Sequence, residues 1–165
     1  MLEHLKTVER EVRSMEAGSF RTFEDLEVYQ MAREFRKSMY GVGRRLPDFE
    51  KFELASQIRR AAVSLTNNIA EGHGRYHFPD HLRFLLQARG SLEELIDDLN
   101  ICTDEQYLAG EEIDELKKFG WRVHNLINGY GRYLRQRKAG TDKLRETGLD
   151  YGSDANANPF DDVPF

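Results

Sequence analysis

His73, His77 and His81 recur every four residues, the spacing that would line three imidazoles along one face of a continuous helix and invite zinc. Gly74 and Pro79 fall inside that run and interrupt such a helix, so the three read as polar loop histidines. Glu93, Glu94, Asp97 and Asp98 offer carboxylates of the kind a di-iron site in a helical bundle uses. That site also needs Glu-x-x-His pairs facing inward, and no histidine here has a glutamate three residues before it. The four acids lie opposite a leucine face and are expected to form a solvated or partner-facing surface. Cys102 is the only cysteine, so it closes no disulfide within the chain and reads as a small apolar helix residue. There is no Gly-rich loop ending in Lys-Ser/Thr and no Gly-x-Ser-x-Gly elbow. Ser56, Ser64 and Ser91 lack a neighbouring base that would activate them. The chain is therefore expected to be no enzyme and to need neither metal nor cofactor.

Positive charge is what remains. The net charge is -5, which argues against a nucleic-acid partner until the chain is divided. Residues 80–107 hold seven acids and two bases, and residues 141–165 hold six acids and two bases. The rest is net basic, and four bases, Arg132, Arg135, Arg137 and Lys138, crowd into seven residues. Arg59 and Arg60 sit in the middle of SQIRRAAVSLTNNIAEG, beside Asn67 and Asn68. Arg44, Arg45 and Arg75 lie near segment ends, where an antiparallel arrangement would let several arginines meet on one rim. Arg59, Arg60, Arg132, Arg135, Arg137 and Lys138 are the candidate contacts to RNA or DNA.

Four long segments have the helical period, and none of useful length alternates like a strand. In the first, Val28, Ala32, Phe35, Met39, Val42 and Leu46 form a heptad-type seam that Pro47 ends. The second runs from about Phe49 to Gly72. The third begins after Pro79-Asp80, with Leu82, Leu85, Leu92, Leu95, Ile96 and Leu99 inward. The fourth carries Ile113, Leu116, Gly120, Val123, Ile127, Tyr130 and Leu134 on one seam, with Phe119, Leu126 and Tyr133 repeating every seven residues beside it. That second stripe fits either a wide core face in a monomer or a contact with another copy of the chain, and the oligomer contact is the expectation. Gly120, Gly129 and Gly131 weaken this helix by ~1 kcal/mol each relative to alanine, so close helix approach is expected there.

Short connections between such helices make neighbours antiparallel. The expected fold is all-α: an up-down-up-down four-helix bundle over residues 22–138. A short extra amphipathic helix precedes it over 1–18, through Leu2, Leu5, Val8, Val12 and Met15. Residues 139–165 read as a disordered acidic tail, because they hold too few branched apolar residues to offset chain entropy of ~1–2 kcal/mol per residue. Mean hydropathy is -0.68 with no membrane-length apolar run, and MLEHLKTVEREVRSMEAG lacks the unbroken apolar stretch of a secretory signal. A cytoplasmic protein without membrane contact is expected.

The segments FEDLEVYQMAREF, SQIRRAAVSLTNNIAEGHGR and FLLQARGSLEEL resemble the bacterial four-helix-bundle family encoded in intervening sequences of 23S rRNA genes. That family includes the accessory variability determinants of diversity-generating retroelements, and the resemblance spans roughly Phe23 to Arg137. It implies a homopentamer with a basic surface, no enzymatic activity, and partnership with nucleic acid and a reverse transcriptase in mutagenic cDNA synthesis. It also implies that Arg59 and Arg60 serve the barrel or its basic surface and that Asn68, Glu71 and Gly72 preserve a family turn. The extreme C-terminus, Asp161-Asp162-Val163-Pro164-Phe165, resembles the acidic tip of bacterial single-stranded DNA-binding proteins. A terminal ring suits an apolar pocket, its α-carboxylate an Arg or Lys, and the acids a basic rim. The tip is thus expected to recruit host replication and repair proteins. The alternative is a structural oligomer that binds protein partners only.

Overall fold

The computed structural model describes residues 22–75 and 77–145, with side chains described as far as Lys138. Its helices are α1 Glu27–Arg45, α2 Leu54–His73, α3 Phe78–Asp104 and α4 Gly110–Arg145, and there is no strand among the described residues. The expected N-terminal helix and the tip Asp161–Phe165 lie outside the described residues.

The helix limits follow from local chemistry. The Glu24 amide donates to the Thr22 hydroxyl at 3.2 Å and the Thr22 amide donates to the Asp25 carboxylate at 3.1 Å, a capping box on the 3-10 turn Phe23–Asp25 that leads into α1. Leu46 is extended after α1, because a residue preceding proline is pushed out of the helical region. A second 3-10 turn, Asp48–Lys51, follows, so α2 starts at Leu54 rather than near Phe49. Glu50 in that turn accepts from the Leu54 amide at 3.1 Å and from the Tyr107 hydroxyl at 2.8 Å. One carboxylate therefore starts α2 and ties the α1–α2 connection to the α3–α4 connection. Pro79 occupies the first turn of α3, where a missing amide leaves no bond unmade. Hence α3 begins at Phe78, ahead of the expected start.

Each helix packs on its neighbour in the chain, and α1 also packs on α4, closing an antiparallel four-helix bundle. Arg45 pairs with Glu112 where α1 ends and α4 begins, and His81 meets Tyr130 edge-on at the other end, ring centroids 5.5 Å apart. All six residues of the α1 seam are buried, as are Ile58, Leu65 and Ile69 of α2, Leu85, Leu92, Leu95 and Leu99 of α3, and Ile113, Val123 and Ile127 of α4. Burying each large aliphatic side chain contributes roughly 1.5–3 kcal/mol. At Gly120 a Cβ would stand 3.1 Å from Ile96 Cγ1 and 3.2 Å from Phe35 Cζ, so glycine lets α4 approach α1 and α3 closely. Gly129 has open space instead, contrary to the close approach expected there.

Two expectations, on Asp98 and His81, are corrected. Asp98 is not on the outer face with Glu93, Glu94 and Asp97: it is 1% exposed and accepts a 2.9 Å hydrogen bond from the Gln57 side chain. Its register explains this, since 95, 98 and 102 share the inner face of α3. His81 is a buried helical residue rather than a loop histidine. Phe119 is partly buried against the core, edge-on to Phe35 at 5.4 Å between centroids. In addition, α4 continues to Arg145, past the Lys138 boundary expected for the bundle.

Candidate nucleic-acid interface

The period of α1 puts Arg33, Arg36, Tyr40 and Arg44 at successive 3- and 4-residue steps, hence on one face. On α2 the positions 56, 60, 63 and 67 do the same, with 59 beside them. Arg36 Nη1 donates to Thr66 Oγ1 across the two helices at 2.9 Å, which places these faces side by side. Between them runs an open groove of about 560 Å³ lined by Tyr40, Ser56, Arg59, Arg60, Ser64 and Asn67. Arg59 donates to the Lys51 carbonyl at 2.9 Å and Arg60 to the Ser56 hydroxyl at 2.7 Å. Both acceptors are neutral, and no carboxylate among the described residues forms an ion pair with either guanidinium. Their positive charge is held in place and not cancelled, which is what contact with a phosphate requires. Tyr40 offers a ring on which a base can stack.

Charge is divided across the bundle. Helix α1 carries five bases and two acids, whereas α3, diagonally opposite, carries two bases and six acids. Lys37 is partly neutralised by Glu34 at 2.6 Å.

Arg132, Arg135, Arg137 and Lys138 lie elsewhere. They occupy the far part of α4, which sits on the diagonal from α2, so the structure does not bring them together with Arg59 and Arg60. Arg137 donates to the Tyr133 hydroxyl at 3.2 Å and lies 5.7 Å from that ring's centroid, and Lys138 Nζ is 5.6 Å from the Phe78 centroid. Arg75 joins this end, paired with Glu71 and stacked 4.8 Å over Phe84. Arg44 and Arg45 are at the opposite end, so of the arginines expected near segment ends, Arg75 shares an end with the α4 cluster and Arg44 and Arg45 do not. Asn68 bonds the Ser64 carbonyl at 2.9 Å, and Ser64 bonds Ser91 of α3 at 2.8 Å. Asn68 thus serves α2–α3 packing, while Asn67 faces the groove.

Leu126 and Tyr133 of the expected oligomer stripe line a separate apolar cleft of about 490 Å³ between the start of α1 and α4, with Leu26, Val28, Gly129 and Tyr130. The large side chains that stand out from the rest of the bundle are Phe49, 71% exposed, Phe52, 79%, Trp121, 49%, and Ile101, 36%, and Tyr133 of the stripe is itself 42% exposed. Tyr133 was singled out by periodicity, whereas Phe49, Phe52, Ile101 and Trp121 were not, and neither were Arg33, Arg36 and Tyr40. The available signal was the run of bases at 33, 36, 37 and 44 around Tyr40.

The titratable groups with displaced pKa values are structural. Burial, reinforced by Glu94 and Asp97 and opposed by the Gln57 bond, pushes Asp98 up to about 7. Burial and nearby His73 lower His81 to about 4. Burial also lowers His124, which lies 3.4 Å from Glu93 and 3.3 Å from the Asn128 amide. No group of three or more His, Cys, Asp or Glu side chains among the described residues is placed to hold a metal ion. Among the same residues no helix is long and apolar enough to cross a membrane.

The bundle is similar to the crystal structure of a protein of unknown function from the S23 ribosomal protein family of Bacteroides thetaiotaomicron VPI-5482. The two share 20% identity with a TM-score of 0.59, over 64% of this chain and 95% of that one, a likeness of fold. No curated protein matches the chain. The family model described as 23S rRNA-intervening sequence protein matches residues 24–129, from the turn before α1 to the middle of α4. The chain therefore belongs to the 23S rRNA-intervening sequence protein family.

Proposed function

We propose that this protein is a non-enzymatic oligomeric accessory factor that binds nucleic acid in the α1–α2 groove and acts with a reverse transcriptase in retroelement mutagenic cDNA synthesis. The observation that carries the nucleic-acid reading is the groove itself, where Arg59 and Arg60 are anchored by neutral acceptors beside Tyr40. Arg132, Arg135, Arg137 and Lys138 form a second, separate basic contact on α4. The reverse-transcriptase partner is supported by the resemblance of the α1 and α2 segments to retroelement accessory proteins. Recruitment of host replication and repair proteins is supported by the likeness of Asp161–Phe165 to the tip of single-stranded DNA-binding proteins. Self-association is assigned to the exposed apolar side chains Phe49, Phe52 and Trp121, with a pentamer the stoichiometry implied by the resemblance.

The test is fluorescence anisotropy of labelled single-stranded RNA and DNA oligonucleotides titrated with the protein over a range of salt. Affinity falls with salt, and replacing Arg59 and Arg60 by alanine reduces the log–log slope by roughly 1.4, two phosphates at ~0.7 each. Equal slopes for the variant and the parent would remove the groove from the interface. Absence of binding at low salt would favour the alternative, a structural oligomer whose partners are proteins only.

A further inference from the structure

The apolar cleft between the start of α1 and α4 is not used by the nucleic-acid reading, and its surroundings match the chemistry of this chain's own last residues. Leu126, Tyr130 and Tyr133 give it an apolar floor and wall. Arg122 precedes Asn125 by three residues and Arg132 follows Gly129 by three, so both flank the cleft along the same face of α4. Arg137 lies at its lower edge, on the Tyr133 ring, and Glu27 is the acid in its lining. A phenyl ring preceded by two aspartates is complementary to an apolar slot edged by arginines. We infer that Asp161–Phe165 docks in cis in this cleft, with the Phe165 ring between Leu126 and Tyr133 and the acids facing Arg122, Arg132 and Arg137.

Chain length permits the contact. Twenty residues follow Arg145. At ~1.5 Å per helical residue, Tyr133 lies ~18 Å and Leu126 ~29 Å back along α4 from Arg145. A flexible chain of that length has a root-mean-square span of ~25 Å, at ~5–6 Å times the square root of its length. The span therefore falls between the two distances, where intramolecular contact is most favoured. The consequence is self-masking: a tip held in its own cleft is not offered to a partner until a tighter pocket competes for it. This inference is independent of nucleic-acid contact in the α1–α2 groove.

The experiment places cysteines at Asn125→Cys on the cleft edge and Asn158→Cys near the tip of the full chain. Native Cys102 is kept, since it is buried and its thiol is pushed up to about 11. Under mild oxidation an intrachain disulfide at monomer mass is expected. Adding Phe165→Ala, or separately Tyr133→Ala, is expected to slow it at least about tenfold, as a docked contact reverts to a freely diffusing one. Arg59→Ala with Arg60→Ala leaves the rate unchanged. A rate indifferent to Phe165, or no disulfide at all, overturns the inference. So does a disulfide only between chains, which would put a second copy's tip in the cleft. One that forms only after residues 1–18 are deleted would give the cleft to the N-terminal segment and equally overturn it.

Discussion

Replacing Asp98 by asparagine should stabilise the protein, and increasingly so as pH rises. The side chain is 1% exposed, one oxygen accepts from Gln57, and the other, Oδ2, has no hydrogen-bond partner. Burial raises its pKa from 3.8 to about 7. The folded state thus holds a proton that the unfolded state releases near pH 4, and stability contributed by the neutral form is lost as pH rises through 7. Each pKa unit corresponds to ~1.4 kcal/mol, so the carboxyl's preference for ionising in the unfolded chain costs the fold about 4 kcal/mol at pH 8.5 and about 2 kcal/mol at pH 5. Asparagine keeps the acceptor for Gln57 and carries no charge. Urea unfolding followed by circular dichroism at pH 5, 7 and 8.5 measures the difference directly, and other titrating groups cancel between the two proteins. The variant's advantage should grow by ~2–3 kcal/mol across that range. An advantage that is constant with pH, or a variant that is less stable at pH 8.5, would refute the account of a buried, proton-holding carboxylate.

Gly120→Ala should lower the thermal midpoint, at a cost of ~1–3 kcal/mol, because its Cβ meets Ile96 and Phe35 near 3.1–3.2 Å; Gly129→Ala, in open space, should be neutral or stabilising. Arg45→Ala breaks a surface pair with Glu112, both partners well exposed, and should cost under ~1 kcal/mol by chemical denaturation. Phe35→Ala, at the centre of the core, should cost ~3–5 kcal/mol in the same assay. His81, lowered to about 4, must stay neutral when folded, so stability falls as pH drops from 6.5 towards 4. His81→Leu should flatten that acid limb in a pH series of unfolding midpoints.

Where apolar spacing was unbroken, the sequence was enough to place the structure. Val28 to Leu46 repeats at 4 and 3, and every member is buried; the Pro47 stop and the four-helix count follow from equally local signals. Misreadings came where a polar residue occupies an inner register. Asp98 lies three after Leu95 and four before Cys102, and His81 lies four before Leu85, so position pointed inward while residue type pointed outward. Packing won, with a proton and the Gln57 amide compensating for Asp98. Phe119 shows the converse: its heptad partners suggested an outer stripe, but the slight angular drift of the helix turns it onto Phe35 while Leu126 and Tyr133 reach the cleft. The arginine groups were separated by topology, which no single helix reveals: α2 and α4 stand on a diagonal, so Arg59 and Arg137 cannot share a surface. The groove needed α1 beside α2 before Tyr40 joined Arg59.

With a basic α1 and an acidic α3 on opposite corners of the bundle, the bundle is an electric dipole. Neighbouring axes ~10 Å apart set the diagonal at ~14 Å, and about three charges of each sign across it give a moment on the order of 200 debye. In the field of a polyanion such a body feels a torque before it feels a contact, and turns α1 forward once it comes within the ~8–10 Å screening length of physiological salt. Orientation is then complete on arrival, so ionic strength should act on the rate of encounter as well as on the lifetime of what forms.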